Sequence, residues 1–272
     1  MGNDVSDIVE YYNANSELEH TRLERHQLEY DLTWRYLERY LPSVGTILEV
    51  GAAAGRYTVE LAKRGYQVSA VDMSAGLLEM CRKNLAQTGL AGRVELLLAD
   101  ARDLPGAVTG KEFDAALLMG PLYHLVAEAD RKLALQQACE RLRPGGVLFS
   151  AFISRYGIMC DLIKDHPAWI EEQTEVRSVL EKGRSPDDYP RGGFRGYFAQ
   201  VCEIAPLHEA LGLETLALVG VEPAISADDE SYNKLEGKQR QLWLDLFQEM
   251  GAEPSIIGAS RHLLYIGRKR DR

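Results

Sequence analysis

Six residues of this 272-residue chain stand out for the chemistry their types and spacing allow. Glu49, Gly51, Ala53 and Gly55 fall in "ILEVGAAAGRY", where an apolar run gives way to a helical pattern, and Asp72 and Asp100 end the next two apolar runs, in "VSAVDMS" and "LLLADARDLP". A glycine-rich turn from strand to helix brings backbone N–H groups up to a ligand, and an acid about 20 residues further on can accept both hydroxyls of a ribose. Asp72 lies 17 positions after Gly55. Two features argue against a dinucleotide: Ala53 stands where a glycine would let a pyrophosphate approach, and Glu49 at the strand end would repel phosphate. A nucleoside without phosphates suits this turn better.

The elements that must hold these residues follow from periodicity. From Thr46 onward, short apolar runs alternate with longer helical patterns, which predicts βα units and a mainly parallel, doubly wound sheet. Seven strands are expected, at "TILEV", "QVSAV", "VELLLA", "FDAALLM", "GVLFSAF", "ETLALVGV" and "HLLYIG". Several are apolar throughout, as strands covered on both faces must be. Ser74 caps the helix "AGLLEMCRKNLAQ" and Gly89 stops it, while "RPGG" from Arg143 closes "DRKLALQQACERL". We expect one domain over 1–272: a helical cap over 1–44, a ligand-binding core over 45–153, a lid over 154–204 inserted after the fifth strand, and the rest of the sheet over 205–272. Ligands of such sheets lie beyond the carboxyl ends of the strands, within reach of cap and lid.

With Glu49, Gly51, Ala53 and Gly55 in the first turn, Asp72 and Asp100 on the next two strand ends, and "LLMGPLYHL" and "LRPGGVLF" beyond them, residues 46–153 resemble the class I S-adenosylmethionine-dependent methyltransferases. The similarity is to the branch with small-molecule and quinone-type enzymes. That family's first motif runs E/D-x-G-x-G-x-G, and this chain departs from it at Ala53. The resemblance implies a Rossmann-like fold and S-adenosylmethionine as cofactor, with S-adenosylhomocysteine as product. It also implies that Asp72 takes the ribose, that Met73 and Ala101 flank the adenine, and that Asp100 accepts from its amine. The cofactor's sulfonium and ammonium would make Glu49 attractive rather than repulsive.

Methyl transfer is an in-line displacement whose main requirement is alignment, and a base is needed only where the acceptor must lose a proton. His124, just past the fourth strand, is the candidate base; its alternative is to pack on the cofactor or cap a helix. Tyr123 either turns its ring toward the sulfonium or belongs to the core, and Met119 precedes the same turn. Gly120 stands where amino-group methylases of DNA carry Asn or Asp, so that class is disfavoured. Tyr11, Arg22 and Arg25 could reach the methionine carboxylate, or lie on an exposed helix face. His166, Trp169, Phe194, Arg195, Tyr197 and Phe198 give the lid an aromatic surface for an apolar or planar acceptor, or clamp the lid to its own core.

A formal net charge of −10 disfavours a broad nucleic-acid or anionic-membrane footprint. An RNA methyltransferase with a local patch at Arg191, Arg195 and the tail "GRKRDR", and a cofactor-binding protein without transfer activity, remain as alternatives. Cys81, Cys139, Cys160 and Cys202 form no C-x-x-C pair, and no metal-ligand spacing is present. No leader and no apolar run of about 20 residues is seen. The expectation is a cytoplasmic monomer or homodimer with reduced thiols, acting on a small molecule.

Overall fold

The structure is a computed structural model, and it describes residues 4–104, 108, 112–186, 195–223 and 228–271. Strands β1 (Thr46–Val50), β2 (Gln67–Asp72), β3 (Val94–Leu98), β4 (Phe113–Leu118), β5 (Leu142–Ser154), β6 (Phe198–Ala199), β7 (Leu213–Gly220) and β8 (His262–Lys269) form one sheet. Its order is β3-β2-β1-β4-β5-β8-β7, with β6 paired to β5. Strands β1 to β5 pair in parallel, and β8 runs antiparallel between β5 and β7. All seven expected strands are present. The eighth, β6, is too short to have shown a period in sequence, and β5 begins at Leu142, through the "RPGG" that had been expected only to close a helix.

Four helices come first: α1 (Ser6–Ala14), α2 (Ser16–His20), α3 (Arg22–Arg25) and α4 (Gln27–Tyr40). The rest of the sheet is wound by α5 (Arg56–Lys63), α6 (Ala75–Thr88), α7 (Pro121–His124), α8 (Glu128–Arg141), α9 (Met159–Asp165), α10 (Gln173–Lys182), α11 (Val201–Glu209), α12 (Asp229–Asn233) and α13 (Gly237–Gly251). Alternate residues of the central strands feed two cores. Ile47, Ala115 and Phe149 pack with Leu32, Leu61 and Phe247 on one side, whereas Leu48, Ala116 and Leu148 pack with Leu135, Ala138 and Ile204 on the other. Period-two alternation with both faces covered is why these strands read as unbroken apolar runs.

The ends of α6 are as expected. Ser74 Oγ accepts from the Leu77 N–H at 3.1 Å, and Gly89 takes a left-handed conformation. The charged tail "GRKRDR" begins inside the sheet and leaves Arg268, Arg270 and Asp271 exposed. Gly267, Arg268 and Lys269 complete β8, and Lys269 Nζ donates to the Cys139 carbonyl at 2.8 Å.

The turn after β1 determines where its amides point. Gly51 and Gly55 have φ of 81° and 84°, and a Cβ at Gly55 would lie 2.3 Å from Cys81 Sγ. Ala53 has φ of 48°, alone among the described non-glycine residues in being positive. A methyl-bearing residue there carries a left-handed penalty of roughly 1–2 kcal/mol, set against the roughly 0.5–1 kcal/mol of extra unfolded-state freedom that glycine has. Ala53→Gly should therefore stabilise the fold by about 0.5 kcal/mol in urea unfolding, and a loss of that size would contradict this account of the turn.

Candidate active site

The three acids at successive strand ends share one cleft. Glu49, Asp72 and Asp100 line it together with Gly51, Ala53, Met73, Ala101, Met119, Gly120, Tyr123 and His124, and Val5, Ile8, Tyr12, Glu19 and Arg22 of the N-terminal helices cover it. The topology explains the convergence, because β1, β2, β3 and β4 are parallel neighbours whose carboxyl ends open on one edge.

Each acid meets a different environment. Asp72 Oδ2 accepts from the Ala53 N–H and Oδ1 from the Ser74 N–H, both at 2.8 Å. It therefore ties the first turn to the start of α6, and burial pushes its carboxyl above the usual range. Glu49 is 1% exposed and accepts from Thr58 Oγ1 at 2.6 Å; burial raises its pKa to about 8. Asp100 is gripped by Arg102, whose Nη2 lies 2.6 Å from Oδ2 and whose Nη1 reaches Asp130 at 2.9 Å. Counting charges in the sequence therefore overstates the field: in the free protein Glu49 is largely protonated at neutral pH and Asp100 is paired.

His124 is wedged between cap and lid. Its Nε2 lies 2.7 Å from the Tyr12 hydroxyl and its Nδ1 3.4 Å from the Arg195 carbonyl, contacts that place the tautomeric proton on Nδ1 and make Nε2 the acceptor. Burial lowers its pKa to about 4. Tyr12 was not singled out in the sequence, where its neighbour Tyr11 was. Tyr11 instead faces a second cavity and stacks edge-on against Tyr12. Tyr123 donates to the Met119 carbonyl at 3.3 Å.

The second cavity, of about 410 Å³, adjoins the first across Tyr12, Glu19, Arg22 and Tyr123. Trp169, His166, Ile158 and Val179 of the lid, Phe198 of β6, and Ile153 line it. Arg25 lies on its rim and Arg22 between the two cavities, where Glu29 holds Arg22 through a fork at 2.7 and 3.1 Å. Tyr197 is elsewhere, under the Arg131 guanidinium at 3.4 Å and bonded to Glu203. Arg195 leaves the aromatic group too, pairing with Asp7 of α1 at 2.7 Å. Phe194 and Arg191 lie outside the described residues. Sequence reading missed the ion-pair floor of this cavity, where Arg261 joins Glu222 and Asp161.

Residues 47–146 match the family described as a methyltransferase domain. Over those residues the chain is similar to methyltransferase domains. The tRNA 5-carboxymethoxyuridine methyltransferase of Escherichia coli (strain K12) is 29% identical over 172 residues, which are 61% of this chain and 62% of that protein. This chain thus matches less than two thirds of that relative's length. A ubiquinone biosynthesis O-methyltransferase of Thiobacillus denitrificans is 28% identical over 192 residues, covering 70% of this chain and 74% of that one. The fold is shared with the 1,6-didemethyltoxoflavin-N1-methyltransferase of Burkholderia thailandensis, solved with 1,6-didemethyltoxoflavin and S-adenosylhomocysteine bound, at a TM-score of 0.58 and 18% identity over 98% of this chain and 87% of that one.

The residues of this cleft fit S-adenosylmethionine, the cofactor of such methyltransferase domains. A buried carboxylate faces the cleft at Asp72, Met73, Leu77 and Ala101 supply apolar walls, and Arg56, which follows the turn and also lines the cleft, lies over the Tyr30 ring and 4.0 Å from Glu24.

Two pH responses follow. The raised pKa of Glu49 means that its contribution to stability is complete below the ordinary value of 4.5 and is lost as pH rises through about 8, at up to about 1.4 kcal/mol per pH unit. Unfolding free energy should fall between pH 6.5 and 8.5 in the wild-type protein and lack that slope in Glu49→Gln; equal slopes would contradict the assignment. For His124, an NMR titration should find the imidazole neutral from pH 7.5 down to 5.5, whereas a midpoint near 6.5 would show that it is not held as described.

Proposed function

We propose that the protein transfers a methyl group from S-adenosylmethionine to a small acceptor that is apolar or aromatic in part. What carries the reading is the wall shared by two cavities, one edged by the glycine turn and strand-end acids, the other by lid aromatics, meeting at Tyr12, Glu19, Arg22 and Tyr123. When bound, S-adenosylmethionine supplies a methyl group on a sulfonium that leaves as a neutral thioether.

In this reading Asp72 keeps a lone pair on each oxygen for the ribose hydroxyls while its other lone pairs hold the turn. Met73 and Ala101 flank the adenine, and Asp100, steadied by Arg102, marks the far end of the nucleoside. Arg22 faces the amino-acid end, with Glu29 fixing the direction of its guanidinium. Glu49 gives up its proton when a cation arrives beside it, because an opposite charge favours the ionised carboxylate. His124 acts by holding Tyr12 rather than as a base, since its accepting nitrogen is taken and burial makes it a weak one. Catalysis then rests on alignment and water exclusion, effects that supply roughly 7–11 kcal/mol in well-oriented systems.

A second reading, an RNA acceptor, is favoured by the E. coli relative, which acts on tRNA. Against it stand the net charge of −10 and the use of Lys269 and Arg195 in structural contacts. Among the described residues no helix is long and apolar enough to cross a membrane.

Saturating S-adenosylmethionine, at about 100 times its Kd, should raise the melting temperature by roughly 5–10 °C. Incubation with methyl-labelled cofactor should then place label in metabolite extracts rather than in total RNA. Label in RNA would move the assignment to the second reading, and no melting shift would remove both.

A further inference from the structure

Tyr12 is the residue of α1 that lines both cavities. Its hydroxyl reaches Nε2 of His124 across 112 residues of sequence, and the two rings meet edge-on at 5.3 Å between centroids. Other ties of α1 surround this one. Asn13 Oδ1 accepts from Ser74 Oγ at 2.6 Å and from the Gly76 N–H at 3.2 Å, at the start of the helix that Asp72 helps to place. Asp7 pairs with Arg195, which also donates to the Asp4 carbonyl.

The other side of His124 faces the Arg195 carbonyl, and the strap that begins there runs through Tyr197 into Phe198, part of the acceptor cavity's wall. One imidazole thus joins the helix covering the cofactor cleft to the strap bounding the acceptor cavity. The cap is broken into short helices at Asn15, Thr21 and His26, none of which makes a side-chain N-cap bond to the helix that follows. Such breaks are where a segment can swing with little loss of packing.

We propose that Tyr12 is a positioning residue: anchored on His124, it closes the cofactor cleft, borders both that cleft and the acceptor cavity, and must leave His124 for the cofactor to enter or depart. The inference rests on the reading of the first cleft as the S-adenosylmethionine site. It assigns to His124 the coupling of cap and strap, so that filling the acceptor cavity tightens the hold on the cofactor.

The test is the release rate of labelled S-adenosylhomocysteine, chased with excess unlabelled compound. Tyr12→Phe keeps the ring and loses the anchor, and its release should be about 3- to 10-fold faster, the scale of one net hydrogen bond, with a melting temperature lowered by no more than about 5 °C. His124→Asn should accelerate release similarly, and the double variant should be no faster than either single one, because both remove the same bond. Asp7→Asn, which weakens the tie to Arg195, should also release faster. Unchanged release in Tyr12→Phe, or strictly additive effects in the double variant, would overturn the proposal while leaving the cofactor reading intact. A wild-type protein that fails to bind S-adenosylhomocysteine would overturn both.

Discussion

The pair of backbone hydrogen bonds accepted by Asp72 is the constraint on which the site's shape depends. One comes from Ala53 in the turn after β1 and the other from Ser74 at the head of α6, so a single carboxylate fixes two adjacent strand-to-helix turns. Without that tie Ala53 would have little reason to stay in a left-handed conformation, which a residue with a Cβ otherwise avoids. The cleft is therefore preorganised by the same acid that is proposed to receive the ribose. The side chain is almost fully buried, and what acceptor capacity its backbone donors leave opens on the cleft.

From that fixed edge outward the site is assembled from charge pairs rather than apolar contact. Arg22 with Glu29, Arg102 with Asp100 and Asp130, and Arg261 with Glu222 and Asp161 each contribute a residue to the lining of one cavity or the other. Buried pairs of this kind contribute geometry more dependably than they contribute stability. Here they orient guanidinium groups toward two cavities that differ in character, one edged by acids and the other walled by Trp169, Phe198 and Tyr123. Such a division suits a cationic nucleoside on one side and a planar acceptor on the other.

Much of this was legible in the sequence where the determinant is local. The turn from Glu49 to Gly55, the acids at strand ends, the Ser74 cap and all seven long strands follow from spacing and period, and they occupy the positions read for them. What was hidden is what depends on partners far apart in the chain. Tyr12 looked no different from Tyr11 until the fold brought one of them to His124. Asp100 read as a free acceptor although its partner Arg102 sits two residues away, because sequence does not show whether a neighbouring side chain folds back. Tyr197 and Arg195 read equally as acceptor surface or as a clamp, and their contacts with Arg131 and Asp7 are those of a clamp. The helical cap was expected over 1–44, whereas its breaks at Asn15, Thr21 and His26 carry no glycine or proline to announce them.

The central claim, that the first cleft is built for a cationic nucleoside held by its ribose, is met most directly by a crystal structure with S-adenosylhomocysteine. Both ribose hydroxyls should lie within hydrogen-bond distance of Asp72, with the adenine between Met73 and Ala101 and the homocysteine chain running toward Tyr12. A nucleoside bound elsewhere, or an Asp72 carboxylate that stays clear of the sugar, would contradict the account.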